Sequence, residues 1–142
     1  EDFVRVVSLC DTVYFDVKLA DRELHKKYTG VSNERILENI KKLSKTEKPL
    51  IIRIPVIPGI NDTMQNIEAT ADYIIEELGE YKFIVQPDSF FQVNKSLGIP
   101  YHMSYMDIDH EKFNDEMNTL AKYFNARGIN CVAGTSEKIE VK

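Results

Sequence analysis

The sequence predicts an α/β fold of parallel strands joined by crossover helices. Short β-branched runs alternate with stretches of helical period, in the order strand, helix, strand, helix, strand, helix, strand. The strand-like runs also end in polar residues followed by turn or cap residues, the arrangement on which parallel sheets build sites. The clearest case is Leu50–Asp62, LIIRIPVIPGIND. An apolar run reads as a strand buried on both faces and Arg53 is set near its end. Pro55, Pro58 and Gly59 are expected to end the ladder, and Asn61 or Asp62 to cap the next helix.

Composition narrows the class. The chain has 142 residues, 43% hydrophobic and 29% charged, which is enough for one core and too polar for a membrane protein. No apolar run reaches the roughly 18 residues of a membrane helix, and no signal-peptide pattern is read at the start. A net charge of −5 argues against nucleic acid or anionic lipid as a partner. Cys10 and Cys131 lie far apart without CxxC spacing, so neither a disulfide framework nor a zinc site is expected and a reducing cytoplasm is the default location.

The elements follow in order. Phe3, Val6, Val7 and Cys10 sit at helical spacing, as in the back half of a helix. Thr12–Val17 is a strand with Val13, Phe15 and Val17 on one face. Tyr14, Asp16 and the following Lys18 lie on the other. Asp21–Tyr28 predicts a short helix stopped by Thr29-Gly30. Ser32 or Asn33 then caps a helix whose Ile36, Leu37, Ile40 and Leu43 share a face. After the Leu50 strand, a helix runs from about Thr63 to Leu78 with the stripe Met64, Ile67, Ala71, Ile74, Ile75 and Leu78, and Gly79 ends it. Lys82–Gln86 is a third strand ending at Pro87, and Asp88–Met106 is a polar-aromatic loop. His110–Arg127 is a helix with Phe113, Met117, Leu120 and Phe124 inward. Ile129–Ala133 is a fourth strand, followed by a polar tail.

Four strands are few for a closed barrel, and the first would leave an open edge carrying Tyr14, Phe15 and Asp16. The chain therefore reads as a piece of a larger unit, or one that dimerises through that edge. Asp16, Lys18, Arg53 and Gln86 all fall near strand C-terminal ends. Burying such charges is costly unless they are paired or hold a ligand. They read either as a structural ion pair or as a site with two cations, one carboxylate and one amide. Of the three histidines, His25 lies on a helix face and reads as structural more readily than catalytic, while His102 and His110 suit solvent or capping roles. The loop aromatics read equally as a flap or as a partner surface.

The run YFDVKLADRELHKKYTGVSNERILENIKKL followed by IIRIPVIPGINDTMQNI resembles the activating enzymes of glycyl-radical enzymes, such as that of pyruvate formate-lyase. The resemblance rests on Asp16-x-Lys18 at a strand end, His25 before Tyr28-Thr29-Gly30-Val31-Ser32-Asn33, Glu38-Asn39, and Arg53-x-Pro55-x-x-Pro58-Gly59 with Asn61-Asp62. It is dense over 11–67 and weaker afterwards.

The resemblance implies a partial TIM-type (β/α)6 barrel of which residues 1–142 are a C-terminal, single-domain portion. It implies a radical S-adenosylmethionine oxidoreductase of anaerobic metabolism. In such enzymes a [4Fe–4S] cluster on a CxxxCxxC loop cleaves S-adenosylmethionine, and the resulting radical abstracts hydrogen from a glycine of the partner. A flavodoxin or ferredoxin-type donor supplies the electron. Asp16 would bind the methionine end, partly through a monovalent cation. Lys18 would face its carboxylate, Arg53 would lie along the cofactor, and Pro55 and Gln86 would line its wall.

Two departures follow. CxxxCxxC is absent, so this chain holds no cluster ligand and no catalytic residue, and alone it is expected to be inactive. Where the family commonly has Leu-Pro-Tyr-His, the chain reads Gln86-Pro87-Asp88-Ser89, so that histidine's role is either vacant or filled differently, with Ser89 able to hydrogen-bond. The rival reading is a degenerate half-barrel that binds proteins or small anions.

Overall fold

The computed structural model describes residues 2–79, 83–89 and 109–134. In chain order the elements are α1 (Asp2–Ser8), β1 (Val13–Asp16), α2 (Arg22–Thr29), α3 (Glu34–Leu43), β2 (Leu50–Val56), α4 (Met64–Tyr73), β3 (Phe83–Ser89) and α5 (His110–Ala126). A π-helical turn, Ile74–Leu78, continues α4. The described strands form one sheet in the order β1-β2-β3, and both pairings are parallel, as the alternation of elements predicts.

Period-two alternation in β2 separates the two faces of the sheet. Leu50, Ile52, Ile54 and Val56 join Val7 of α1, Ile40 and Leu43 of α3, Ile67 and Ala71 of α4, and Phe113, Met117 and Phe124 of α5 in one buried cluster. Ile51 and Arg53 point to the opposite face, and Ile51 is buried outside that cluster. Val13 and Phe15 of β1 pack on the helical side, where Phe15 meets Phe3 edge-on at 6.5 Å. Removing the side chain of Ile52, which is fully buried, would leave a cavity and cost about 2–5 kcal/mol.

Local chemistry sets the helix ends. Asp21 caps α2 by accepting from the Leu24 amide at 2.8 Å, and Gly30 closes it with φ 82°, a conformation glycine adopts without strain. Thr63, rather than Asn61 or Asp62, caps α4. Its side chain accepts from the Asn66 amide, because Asn61 and Asp62 bond elsewhere. Asn33 occupies the cap position of α3 but makes no capping bond, while the Ser32 hydroxyl accepts from the Glu34 amide at 3.3 Å.

Several boundaries differ from the sequence reading. Pro55 does not end the ladder: β2 continues to Val56, with Pro55 opposite Asp88. The pairing of β1 with β2 ends at Asp16 and Arg53, so past that point no strand of the β1 side needs the amide that proline lacks. Likewise β3 runs through Pro87 to Ser89. It lies at the edge of the described sheet, where proline is tolerated. Ile129–Ala133 forms no strand and only Cys131 makes an isolated bridge. The Asn125 side chain takes both backbone groups of Cys131, donating to its carbonyl at 2.7 Å and accepting from its amide at 3.1 Å. A ladder would have used the same groups. Met64, Ile75 and Val6, expected on apolar stripes, are exposed, whereas Ile67, Ala71, Ile74 and Leu78 are buried as expected. The loop expected over 90–106, His102, the side chains of Gln86 and His110, and most of the polar tail lie outside the described residues.

Candidate functional site

At the C-terminal end of the parallel sheet, on the face turned away from the helices, β1 and β2 bring Asp16 and Arg53 directly opposite each other. Two arginine nitrogens converge on one carboxylate oxygen: Nε donates to Asp16 Oδ1 at 2.9 Å and Nη2 lies 2.8 Å from the same atom. Lys18 approaches from the other side, with Nζ 3.8 Å from Asp16 Oδ2. The Arg53 guanidinium also sits over the Tyr14 ring at 5.6 Å. Period two in β1 produces this grouping by turning Tyr14, Asp16 and Lys18 to one face.

The charges are less buried than the sequence reading expects. The Asp16, Arg53 and Lys18 side chains retain 33%, 40% and 45% of their exposure, so the desolvation cost is modest and the group opens to solvent. Two cations face one carboxylate. Arg53 Nη1 and the Lys18 ammonium have no hydrogen-bond partner among the described residues. The group therefore suits a ligand that carries an anion beside a cation, such as the carboxylate and ammonium of an amino acid. Pro55 is buried at the adjoining strand end. The backbone of Gln86 lies opposite Arg53 on the next strand.

His25 takes a structural part. It is buried, and its Nδ1 donates to the Val31 carbonyl at 2.9 Å, which fixes that nitrogen as the protonated one. The Thr29 hydroxyl donates to the His25 carbonyl at 2.8 Å, within the last turn of α2.

What sequence reasoning misses is the polar layer beneath the site. Asn33, Asn61 and Asn66 are buried, and their side-chain amides bond the backbone of Lys18, Leu19 and Ala20. In the sequence, cap chemistry accounts for Asn33 and Asn61, and Asn66 is given no role of its own. The available signal was their spacing among otherwise apolar core positions.

No family model matches the sequence. Over 94% of its length it is 45% identical to the (2S)-3-sulfopropanediol dehydratase activating enzyme of Klebsiella oxytoca. Over 94% it is also 33% identical to a 4-hydroxyphenylacetate decarboxylase activating enzyme of Clostridioides difficile. Its homologues are glycyl-radical enzyme activating enzymes. The chain spans 43% and 42% of the length of these two activating enzymes. Among solved structures, a domain of a pyruvate-formate lyase-activating enzyme from Bacteroides vulgatus superimposes with a TM-score of 0.68. That match covers 94% of this chain and 73% of the domain at 24% identity, a likeness of fold. The α/β architecture with parallel strands is thus that of an activating-enzyme domain.

The two cofactors expected of such an activating enzyme fit this chain differently. The amino-acid end of S-adenosylmethionine matches the donor set of Lys18, Arg53 and Asp16. A [4Fe–4S] cluster does not fit. Among the described residues no group of three or more His, Cys, Asp or Glu could hold a metal. Of the two cysteines, Cys131 is buried with its thiol pushed up to about 12 by desolvation, the opposite of the thiolate a cluster requires.

Proposed function

We propose that this chain is the C-terminal portion of a partial (β/α)6-barrel activating enzyme and supplies the site for the amino-acid end of S-adenosylmethionine. The observation that carries the reading is the Asp16–Arg53–Lys18 grouping at the C-terminal end of a parallel sheet. Lys18 and the free arm of Arg53 hold the methionine carboxylate, and Asp16 accepts from its ammonium or holds a monovalent cation beside it. Arg53 keeps Asp16 oriented while doing so. Pro55 and Gln86 form the wall. When bound with a cluster, S-adenosylmethionine supplies the radical for hydrogen abstraction. This chain's own residues bind and orient its amino-acid end and carry no cluster, so the chain alone is inactive.

The partner in this reading is a glycyl-radical enzyme. The 45% identity to a sulfopropanediol dehydratase activating enzyme supports a dehydratase of that kind at least as well as pyruvate formate-lyase. A flavodoxin or ferredoxin-type protein reduces the whole enzyme, and the whole acts in the cytoplasm.

Calorimetric titration of S-adenosylmethionine into the chain tests the reading. The expected result is saturable binding that Lys18→Ala weakens about tenfold, the loss of one charge-assisted contact. Absence of binding, or binding unaltered by Lys18→Ala, would overturn it and leave the non-catalytic half-barrel.

A further inference from the structure

Lys18 stands one residue beyond the last ladder bond of β1, where the Val17 amide donates to the Arg53 carbonyl at 2.8 Å. Beyond it the chain leaves the sheet. A long, flexible, exposed lysine at such a place would ordinarily sweep a wide volume.

Three buried asparagines from three parts of the fold converge on the three residues that start here. Asn61, between β2 and α4, donates to the Lys18 carbonyl at 2.8 Å and to the Pro55 carbonyl at 2.9 Å, and accepts from the Ile57 amide. Asn66 of α4 accepts from the Ala20 amide at 3.0 Å and donates to the Asn61 carbonyl at 2.9 Å. Asn33, at the start of α3, donates to the Leu19 carbonyl at 3.1 Å and the Ala20 carbonyl at 2.8 Å. Each of the three is at most 2% exposed. Burying an amide is unfavourable unless its groups are bonded. An apolar loop closure would need no such side chains. Here they replace the ladder β1 no longer has, by holding the strand-end backbone with side chains.

We propose that Asn33, Asn61 and Asn66 are positioning residues for Lys18. They act through the Lys18–Ala20 backbone to set the reach of the ammonium toward Asp16 and toward a bound carboxylate. Asn61 matters most, because its amide joins the carbonyl of Lys18 to that of Pro55, at the end of the strand carrying Arg53. The inference rests on the proposed S-adenosylmethionine site, which Lys18 serves.

A double-mutant cycle on the full chain tests it, with S-adenosylmethionine affinity and amide hydrogen exchange as readouts. Lys18→Ala and Asn61→Ala each weaken binding about tenfold, and the double variant weakens it little more than either, because Asn61 acts through Lys18. Losses that multiply to about a hundredfold, or wild-type affinity in Asn61→Ala, would overturn the proposal. Should Asn61→Ala not fold, Asn33→Ala takes its place in the cycle, since it removes only the Leu19 and Ala20 carbonyl contacts. If the wild-type chain binds no S-adenosylmethionine, the proposed function fails. The lock is then judged by exchange at Val17–Ala20: protection lost in the asparagine variant supports it, and unchanged protection overturns it.

Discussion

Arg53 grips Asp16 through Nε and Nη2 on a single carboxylate oxygen, at 2.9 and 2.8 Å, across a parallel register that sets the two residues side by side. Both side chains are more than a quarter exposed, so the pair contributes little to folding, about 0–1 kcal/mol. Its value lies in orienting a half-open carboxylate between two cations. Arg53→Lys keeps the charge and loses the fork. Urea unfolding of Arg53→Lys should match the wild type to within about 1 kcal/mol, while S-adenosylmethionine affinity falls about tenfold. A large stability loss with unchanged affinity would make the pair a structural strut.

Asp16→Asn gives a test of sign. The change removes the negative charge and leaves Lys18 and Arg53 as uncompensated neighbours. Sulfate should then bind more tightly than to the wild type, and more weakly as salt rises. S-adenosylmethionine, whose ammonium loses its acceptor, should bind less tightly. Parallel titrations with both ligands check this, and equal shifts in both would defeat the assignment of Asp16 to the ammonium.

His25→Ala should act on stability alone. The variant removes a buried imidazole together with its Nδ1 bond to the Val31 carbonyl, a loss of about 1–3 kcal/mol. Chemical denaturation measures that loss. Calorimetry on the same variant should return the wild-type affinity for S-adenosylmethionine, and a changed affinity would give His25 a part in the site.

Alkaline pH should unfold the chain through two groups. Burial pushes the Cys131 thiol from 9.0 to about 12, and burial with the neighbouring Glu77 carboxylate pushes the Tyr73 hydroxyl from 10.0 to about 12. Both are held neutral in the folded state, so the folded chain binds more protons above the unfolded values. Their contribution is whole below about pH 9 and is lost as pH rises toward 12. Urea midpoints should be level to pH 8.5 or so and then decline. Cys131→Val should remove the part of the decline that starts near 9 and leave the Tyr73 part that starts near 10. An identical profile in Cys131→Val would refute the assignment.

The parallel sheet was legible because β-branched runs and helical stripes alternate along the chain, and β1 and β2 fall where their composition puts them. The facing of Tyr14, Asp16 and Lys18 was legible from period two alone. Elements failed where a side chain outcompeted the backbone. Asn125 satisfies the groups of Cys131 that a fourth strand would have paired, and no local propensity encodes that. Asn61 reads as a helix cap because asparagine caps helices. Its amide goes instead to a carbonyl 43 positions earlier in the chain, a partner only the fold can supply. Pro55 reads as a terminator because proline breaks ladders, and the shorter β1 removes the neighbour that would have made it one.

The two faces of β2 divide the labour of the molecule by odd and even position. Leu50, Ile52, Ile54 and Val56 answer to the helices, while Arg53 answers to Asp16 on the other side. The apolar positions of the helical layer can therefore be redesigned for heat resistance, residue by residue, without touching the Arg53 face, provided Asn33, Asn61 and Asn66 are kept. The same division makes the strand intolerant of a one-residue slip in its pairing with β1 and β3. Such a shift would exchange every tenant at once, setting a guanidinium among leucines and isoleucines and turning the core outward.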